Sequence, residues 1–161
     1  MVGDRPVTCP YSPAQIRTAY GIQPLLDQGI DGRGRTVVLY ELPVPADGAA
    51  HASNIYQDLA AYDQHFGLPP ASLQVCSGFA RSATPALADM EEVLDAEVVH
   101  AVAPQARIQV LLATSSDFLP AVRYALTHQL GDTISFSVGI GGEYCLSSAQ
   151  AGTVHALTEL A

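Results

Sequence analysis

The sequence predicts an α/β domain built on a doubly wound parallel sheet of about four strands, with flanking helices joined by right-handed crossovers. Short apolar runs suited to buried strands alternate with longer segments of helical periodicity. Gly, Pro and Asp signals separate the two kinds of segment. The predicted strands are residues 36–41, 73–76, 107–113 and 133–139, and the predicted helices are residues 13–20, 55–66, 90–104, 118–129 and 147–161.

The composition restricts the class of protein. A chain of 161 residues is one domain or a piece of one, and 48% hydrophobic against 14% charged residues predicts a folded core. The formal net charge of −9 argues against a nucleic-acid partner, because no basic patch is present to meet phosphates. No apolar run is long enough to span a membrane, and residues 1–6 lack the apolar segment of a signal peptide. We therefore expect neither a nucleic-acid nor a membrane partner.

The three cysteines identify neither a metal site nor a particular disulfide. Cys9, Cys76 and Cys145 are odd in number and have no Cys-x-x-Cys spacing. A zinc site is therefore not expected, and we predict no metal ligands in this segment. One disulfide is possible, but the spacing does not select a pair.

Residues 1–11 are expected to form an irregular arm. Ser12 and Gln15 have the spacing of a capping box, with Pro13 at the first helical position. Gly21 is a suitable stop signal. A short helix is therefore predicted over residues 13–20.

The first strand ends in an acid. Residues 36–41 follow a Gly-rich turn and read as a buried parallel strand whose last residue is Glu41. In open α/β sheets the carboxyl ends of the strands face the ligand crevice. Glu41 is therefore a candidate site residue, although an ordinary solvated acid at a strand end explains it equally well.

The segment 90–104 carries the main candidate site. Asp89 can cap a helix that Pro104 stops, and Glu91 and Asp95 lie at i and i+4 on one face. A carboxylate pair at the head of a buried helix is costly unless it shares a proton or accepts hydrogen bonds. Spacing alone favours the plainer interpretation, a solvated first turn whose acids favour the helix dipole. If the pair is a site, Glu92 and Glu97 are expected to point elsewhere.

Three segments together resemble the sedolisin family of serine-carboxyl peptidases. Glu91-x-x-x-Asp95-Ala96-Glu97-Val98, running into residues 103–110, resembles the family's acidic helix. Residues 11–21 look like the start of its mature catalytic domain. Residues 135–139 are similar to its Ser-Ile-Ser-Trp-Gly strand, with Phe136 and Val138 in place of Ile and Trp. The resemblance covers residues 11–161 and implies a subtilisin-like fold, here truncated to about four strands.

The resemblance also implies roles. Glu91 would be the general base of an acid-acting endopeptidase, Asp95 its partner and Glu41 a supporting acid. Val138 cannot donate the hydrogen bond of the family's Trp, which leaves a shorter relay. The family's nucleophile lies in a Gly-Thr-Ser-Ala segment and its oxyanion Asp in a Gly-Asp-Ser segment, and neither motif occurs in this chain.

The expected protein is therefore the N-terminal half of a serine-carboxyl peptidase catalytic domain, inactive by itself. Its expected partners are a peptide or protein substrate and the missing C-terminal half, which would also hold the family's calcium site, so no cofactor is expected in this segment. The resemblance implies an extracellular location.

The same residues also bear on three other classes of protein. A non-catalytic binding module with the same fold stays open. A nucleotide-binding domain is disfavoured, because no Gly-x-Gly-x-x-Gly or Walker motif follows residues 36–41. Subtilisin proper is disfavoured, because no Asp-x-Gly follows the first strand and no His-Gly-Thr occurs.

Overall fold

The computed structural model describes residues 11–42, 53–77, 80–81, 87–88, 90–112, 119–137 and 147–158. The described helices are α1 (Pro13–Ala19), α2 (Gln23–Leu26), α3 (Ile55–Phe66), α4 (Met90–Val102), α5 (Leu119–Thr127) and α6 (Ser148–Thr158). The described strands are β1 (Thr36–Glu41), β2 (Ser53–Asn54), β3 (Ser72–Ser77), β4 (Ala80–Arg81), β5 (Leu87–Ala88), β6 (Arg107–Leu112) and β7 (Thr133–Phe136).

Four all-parallel strands form the main sheet, in the spatial order β3, β6, β1, β7. The two-residue β4 adds an antiparallel edge beside β3, and β2 and β5 form a separate antiparallel pair. In the register, Glu41 lies opposite Leu112 and Tyr40 opposite Phe136. The predicted α/β class, with a parallel sheet flanked by helices, is confirmed.

Each face of the sheet has its own apolar core. On the first face, Leu39 and Val110 pack against Ile55 of α3 and Ala96 of α4. On the second face, residues of alternate parity, including Tyr40, pack against α5. Side chains alternate between the faces of a strand, so the parity of a strand residue shows which helices it meets. Glu41 has the parity of Leu39 and therefore lies on the face that α3 and α4 cover.

The crossover through α4 has an unusual hand. The strands of the sheet lie in the order β4, β3, β6, β1, β7. The connection from β1 to β3 through α3 runs toward the β4 edge, whereas the connection from β3 to β6 through α4 runs toward the β7 edge. Both helices cover the same face, so the two connections have opposite hands. The connection from β6 to β7 through α5 moves the other way over the opposite face and shares the hand of the first.

About 98% of such crossovers are right-handed, so we assign the right hand to the two that agree and the left hand to the crossover through α4. The prediction of uniformly right-handed crossovers is therefore wrong for α4. The position of α4 has a functional consequence. A right-handed crossover would have placed α4 on the second face, away from Glu41.

Local signals explain most of the element boundaries. Ser12 and Gln15 form the predicted capping box at α1, and Gly67 ends α3 in the left-handed region with φ of 67°. Two differences from the prediction are small. The four-residue α2 was not predicted, and neither were the two-residue strands β2, β4 and β5. Elements of two to four residues are too short to show a period.

Several predictions lie outside the described residues. These are residues 1–10 of the irregular arm, the cap Asp89, and the end of the fourth predicted strand with Val138. Cys9 and Cys145 lie outside as well. Cys76 is described, and its thiol is free and buried.

The amino ends of β1 and β7 are held together by Asp132. Its carboxylate accepts hydrogen bonds from the backbone N–H of Thr36 and the guanidinium of Arg35, both at 2.8 Å. The backbone N–H of Asp132 donates to the carbonyl of Thr36 at 2.8 Å. These contacts lower the pKa of Asp132, the hydrogen bond from Thr36 most and that from Arg35 next. The register of β7 on β1 is therefore fixed at the end of the sheet opposite Glu41.

Candidate functional site

Glu41 occupies the carboxyl end of the central strand β1. The strand pairs with β6 on one side and β7 on the other, so its last residue is enclosed by neighbours. Glu41 is only 3% exposed. Burial of an acid disfavours its charged form, and such acids are expected to be protonated or strongly hydrogen-bonded.

The first turns of α4 place three acids near Glu41. Glu92 is 2% exposed, Asp95 is half-buried and Glu91 is exposed. The helix turns Glu92, Ala96 and His100 inward, at the i, i+4, i+8 spacing of one face. Asp95 stands beside this inward face, and Glu91 lies at its outer edge.

Glu41 and Asp95 share a carboxyl–carboxyl hydrogen bond. The other oxygen of Glu41, Oε1, is buried and has no hydrogen-bond partner among the described residues. A hydrogen bond between two carboxyl groups needs one proton on the pair, since carboxylates only accept. Contact between the two carboxyl groups therefore favours a proton on Glu41, in line with its raised pKa.

The pKa of Glu41 is raised from 4.5 to about 8. Burial is the largest cause, followed by the negative charges of Asp95 and Glu92, the hydrogen bond with Asp95 and the charge of Glu91. Each of these favours the neutral acid. Glu41 is therefore protonated at acid and neutral pH.

A hydroxyl group reaches the same site from β7. Ser137 follows the last residue of β7, and its Oγ donates to Oδ2 of Asp95 at 2.6 Å. Ser137 has the same parity as Thr133 and Ser135, which lie opposite Val37 and Leu39 on the α4 face. Asp95 therefore receives contacts from both β1 and β7.

The structure brings two of the three predicted site residues into direct contact, namely Asp95 and Glu41. Glu91 is exposed, yet it lies close enough for its charge to raise the pKa of Glu41. Glu97 turns away, as expected, toward Asp58 and the α3 side. What this arrangement can do chemically is hold a proton between two carboxyl groups beneath an exposed third acid.

The expectation that Glu92 points elsewhere is wrong. Glu92 is buried, and its charge raises the pKa of Glu41 more than that of Glu91 does. The signal was present in the sequence, since Glu92, Ala96 and His100 share one helical face with small or apolar neighbours. Because nearly all sides of the helix are apolar, the sequence pattern does not show which face turns inward.

An open groove of about 550 Å³ runs between α3 and α4. Its walls include Tyr62 and Phe66 of α3 and Leu94 of α4, with Asp58 and Glu97 at its sides. Burial, and then the charges of Asp58 and Asp63, raise the pKa of Glu97. The groove is therefore apolar in its walls and acidic in its charged groups.

A buried polar contact holds α3 against α4. Nε2 of His100 donates to the carbonyl of Pro69 at 2.8 Å and lies 3.1 Å from Oδ1 of Asp63. Oδ2 of Asp63 accepts from the backbone N–H of Ala71 at 3.0 Å. Both side chains are buried, at 0% and 8% exposure. This contact fixes α4 over the sheet and so positions the acids at its head.

Across the part of the chain that the structure describes, no cluster of three or more His, Cys, Asp or Glu residues could hold a metal ion. No described helix is both long and apolar enough to cross a membrane.

No protein-family model matches the chain, and no curated protein matches it either. The resemblance to sedolisins therefore rests on the three sequence segments, and the function it implies is a proposal.

Proposed function

We propose that this chain is the N-terminal half of the catalytic domain of an acid-acting serine-carboxyl endopeptidase with a subtilisin-like fold. Glu91 is its general base, Asp95 the partner of that base and Glu41 the supporting acid. The observation that carries the proposal is the hydrogen bond between Glu41 and Asp95 at the carboxyl ends of parallel strands. Ligand crevices of open α/β sheets lie at this end.

The arrangement suits a proton-transfer role. The exposed Glu91 can reach a substrate or a nucleophile, whereas Asp95 and Glu41 lie behind it and hold a proton out of solvent. A carboxylate is a weaker base than an imidazole, so such a site works best in acid, where the departing amine is readily protonated. Acid conditions also keep Glu41 neutral, as its raised pKa requires.

The remaining catalytic groups must come from outside this sequence. Peptide cleavage of this type needs a nucleophile and an oxyanion donor as well as a base. None of Ser135, Ser137, Ser147 or Ser148 lies in a segment that resembles the nucleophile's Gly-Thr-Ser-Ala. We therefore propose that a second segment, with both groups, completes the site on the β7 side of the sheet.

The experiment is complementation. The chain alone, and the chain produced together with a C-terminal segment that carries Gly-Asp-Ser and Gly-Thr-Ser-Ala motifs, are assayed for peptide cleavage at about pH 4. We expect cleavage only from the combination. Cleavage by the chain alone would overturn the assignment of roles. Binding of peptides without cleavage by the combination would instead support the non-catalytic binding module.

A further inference from the structure

We infer that Ser137 is a positioning residue of the candidate site, which holds Asp95 as the ionised member of the Glu41–Asp95 pair and so keeps the shared proton on Glu41. This inference deepens the proposed function and rests on it for its catalytic meaning. The contact itself, and its effect on the proton, can be tested without any activity.

The geometry around Asp95 favours this arrangement. Two hydrogen bonds converge on its carboxyl group, one from the Ser137 hydroxyl at 2.6 Å and one shared with Glu41. A distance of 2.6 Å is typical of a hydroxyl that donates to an ionised carboxylate. If Asp95 is the carboxylate, it accepts from Ser137 and from Glu41, and every proton in the contact has an acceptor.

Burial selects the same arrangement. Glu41 is 3% exposed and Asp95 is half-buried, so the negative charge costs less on Asp95. The acids that face Glu41 are Asp95, Glu92 and Glu91, all from α4. The Ser137 hydroxyl donates to Asp95 and can therefore stabilise a negative charge on it.

This arrangement has a consequence for the base. A fixed charge on Asp95, one helical turn from Glu91, keeps negative potential beside the exposed acid. If the proton moved to Asp95, that potential would shift to the buried Glu41, behind Asp95. Ser137 therefore acts through Asp95 and need not touch the substrate.

The test is carbon-detected NMR titration of the side-chain carboxyl groups in the 161-residue chain. In the unsubstituted protein, we expect the Glu41 signal to follow a step well above its ordinary pKa of 4.5. Ser137→Ala should change the titration curve of Asp95, because a hydrogen-bond donor to its carboxyl group has been removed. In this variant, the NMR signals of Asp95 and Glu41 should each change at both titration steps of the pair.

Two variants control for general effects. Ser137→Thr retains the hydroxyl group and should restore the original curves. Ser135→Ala removes a hydroxyl from the same strand and the same face, and should leave the curves unchanged. The inference is overturned if Ser137→Ala leaves the Asp95 curve unchanged, or if Ser135→Ala shifts it as much. It is also overturned if the unsubstituted protein shows Asp95 protonated between the two steps.

The failure of the proposed function would look different. Unshifted, independent curves for Glu41 and Asp95 in the unsubstituted protein would remove the coupled pair on which that function depends. The Ser137 contact would still be decided by whether Ser137→Ala moves the Asp95 curve.

Discussion

Glu41 at the end of β1 and Asp95 on the second turn of α4 form a carboxyl–carboxyl hydrogen bond, and α4 belongs to the crossover with the unusual hand. The two residues are 54 positions apart in the sequence. Only a helix on the first face of the sheet, where Leu39 lies, can place Asp95 beside Glu41. The candidate site therefore depends on the left-handed crossover through α4.

The raised pKa of Glu41 predicts that stability falls as the pH rises. Its pKa is about 8 in the folded protein, above its ordinary value of 4.5. Below about pH 4.5 the acid is protonated in both states, so its full contribution is present. As the pH rises toward 8 the unfolded chain loses the proton first, which favours unfolding by on the order of 4 kcal/mol across this window.

Glu41→Gln tests this directly, because Gln is neutral at every pH. We expect the variant to be more stable than the unsubstituted protein at pH 8 and to lose most of the pH dependence between pH 4.5 and 8. The measurement is the free energy of unfolding in urea at several pH values. An unchanged pH dependence in the variant would show that Glu41 is not the titrating group.

The contact between Asp63 and His100 is predicted to be a main stabiliser of the α3–α4 packing. Asp63→Ala leaves the backbone N–H of Ala71 without its acceptor and removes the acid beside His100. Loss of one buried acceptor should lower the free energy of unfolding by about 1–3 kcal/mol. Asp27→Ala is the control, since Asp27 is exposed and accepts only from the Gln23 side chain four residues earlier.

Thermal unfolding measured by circular dichroism reads out both variants. An effect of Asp63→Ala no larger than that of Asp27→Ala would contradict the structural role given to this contact.

Gly131 is predicted to admit no side chain. A Cβ there would lie 2.8 Å from the carbonyl oxygen of Thr36 and from Cγ2 of Val38. The neighbouring backbone cannot move without disturbing the pairing of β1 and β7. Gly131→Ala should therefore destabilise the protein by roughly 1–3 kcal/mol.

Gly152 gives a matched control within α6, because a Cβ there meets nothing within 4 Å. Gly152→Ala should stabilise by about 0.5–1 kcal/mol, since Gly is a poor helix former. Chemical denaturation of the two variants checks the pair. Equal effects of the two substitutions would show that the close approach at Gly131 is not present in solution.

The sequence contained much of the fold. The helix over 55–66 and the strand over 36–41 were predicted with the bounds they have in the structure, because periodicity and Gly stops mark both clearly. The hand of the α4 crossover could not be predicted, because it depends on which face of the sheet a buried helix covers. A helix that is apolar on most sides, such as α4, does not show that face.

The site was predictable to a similar degree. The i, i+4 spacing of Glu91 and Asp95 and the strand-end position of Glu41 pointed to the edge of the sheet where these three acids lie close together. The burial of Glu92 and the contact from Ser137 were missed. Both depend on how far β7 and α4 lie from each other in space, and no local pattern in the sequence reports that distance.

The measurement that tests the proposed function most directly is peptide cleavage by this chain together with the proposed second segment, with and without the acid assigned as the base. Glu91→Gln keeps the shape of the side chain and removes its basicity, and Glu97→Gln is the matched control on the same helix. We expect Glu91→Gln to lower kcat/KM at acid pH by about 100-fold or more, the usual contribution of a general base. Glu97→Gln should change kcat/KM by less than about 3-fold. Cleavage that survives Glu91→Gln as well as it survives Glu97→Gln would contradict the assignment of Glu91 as the base.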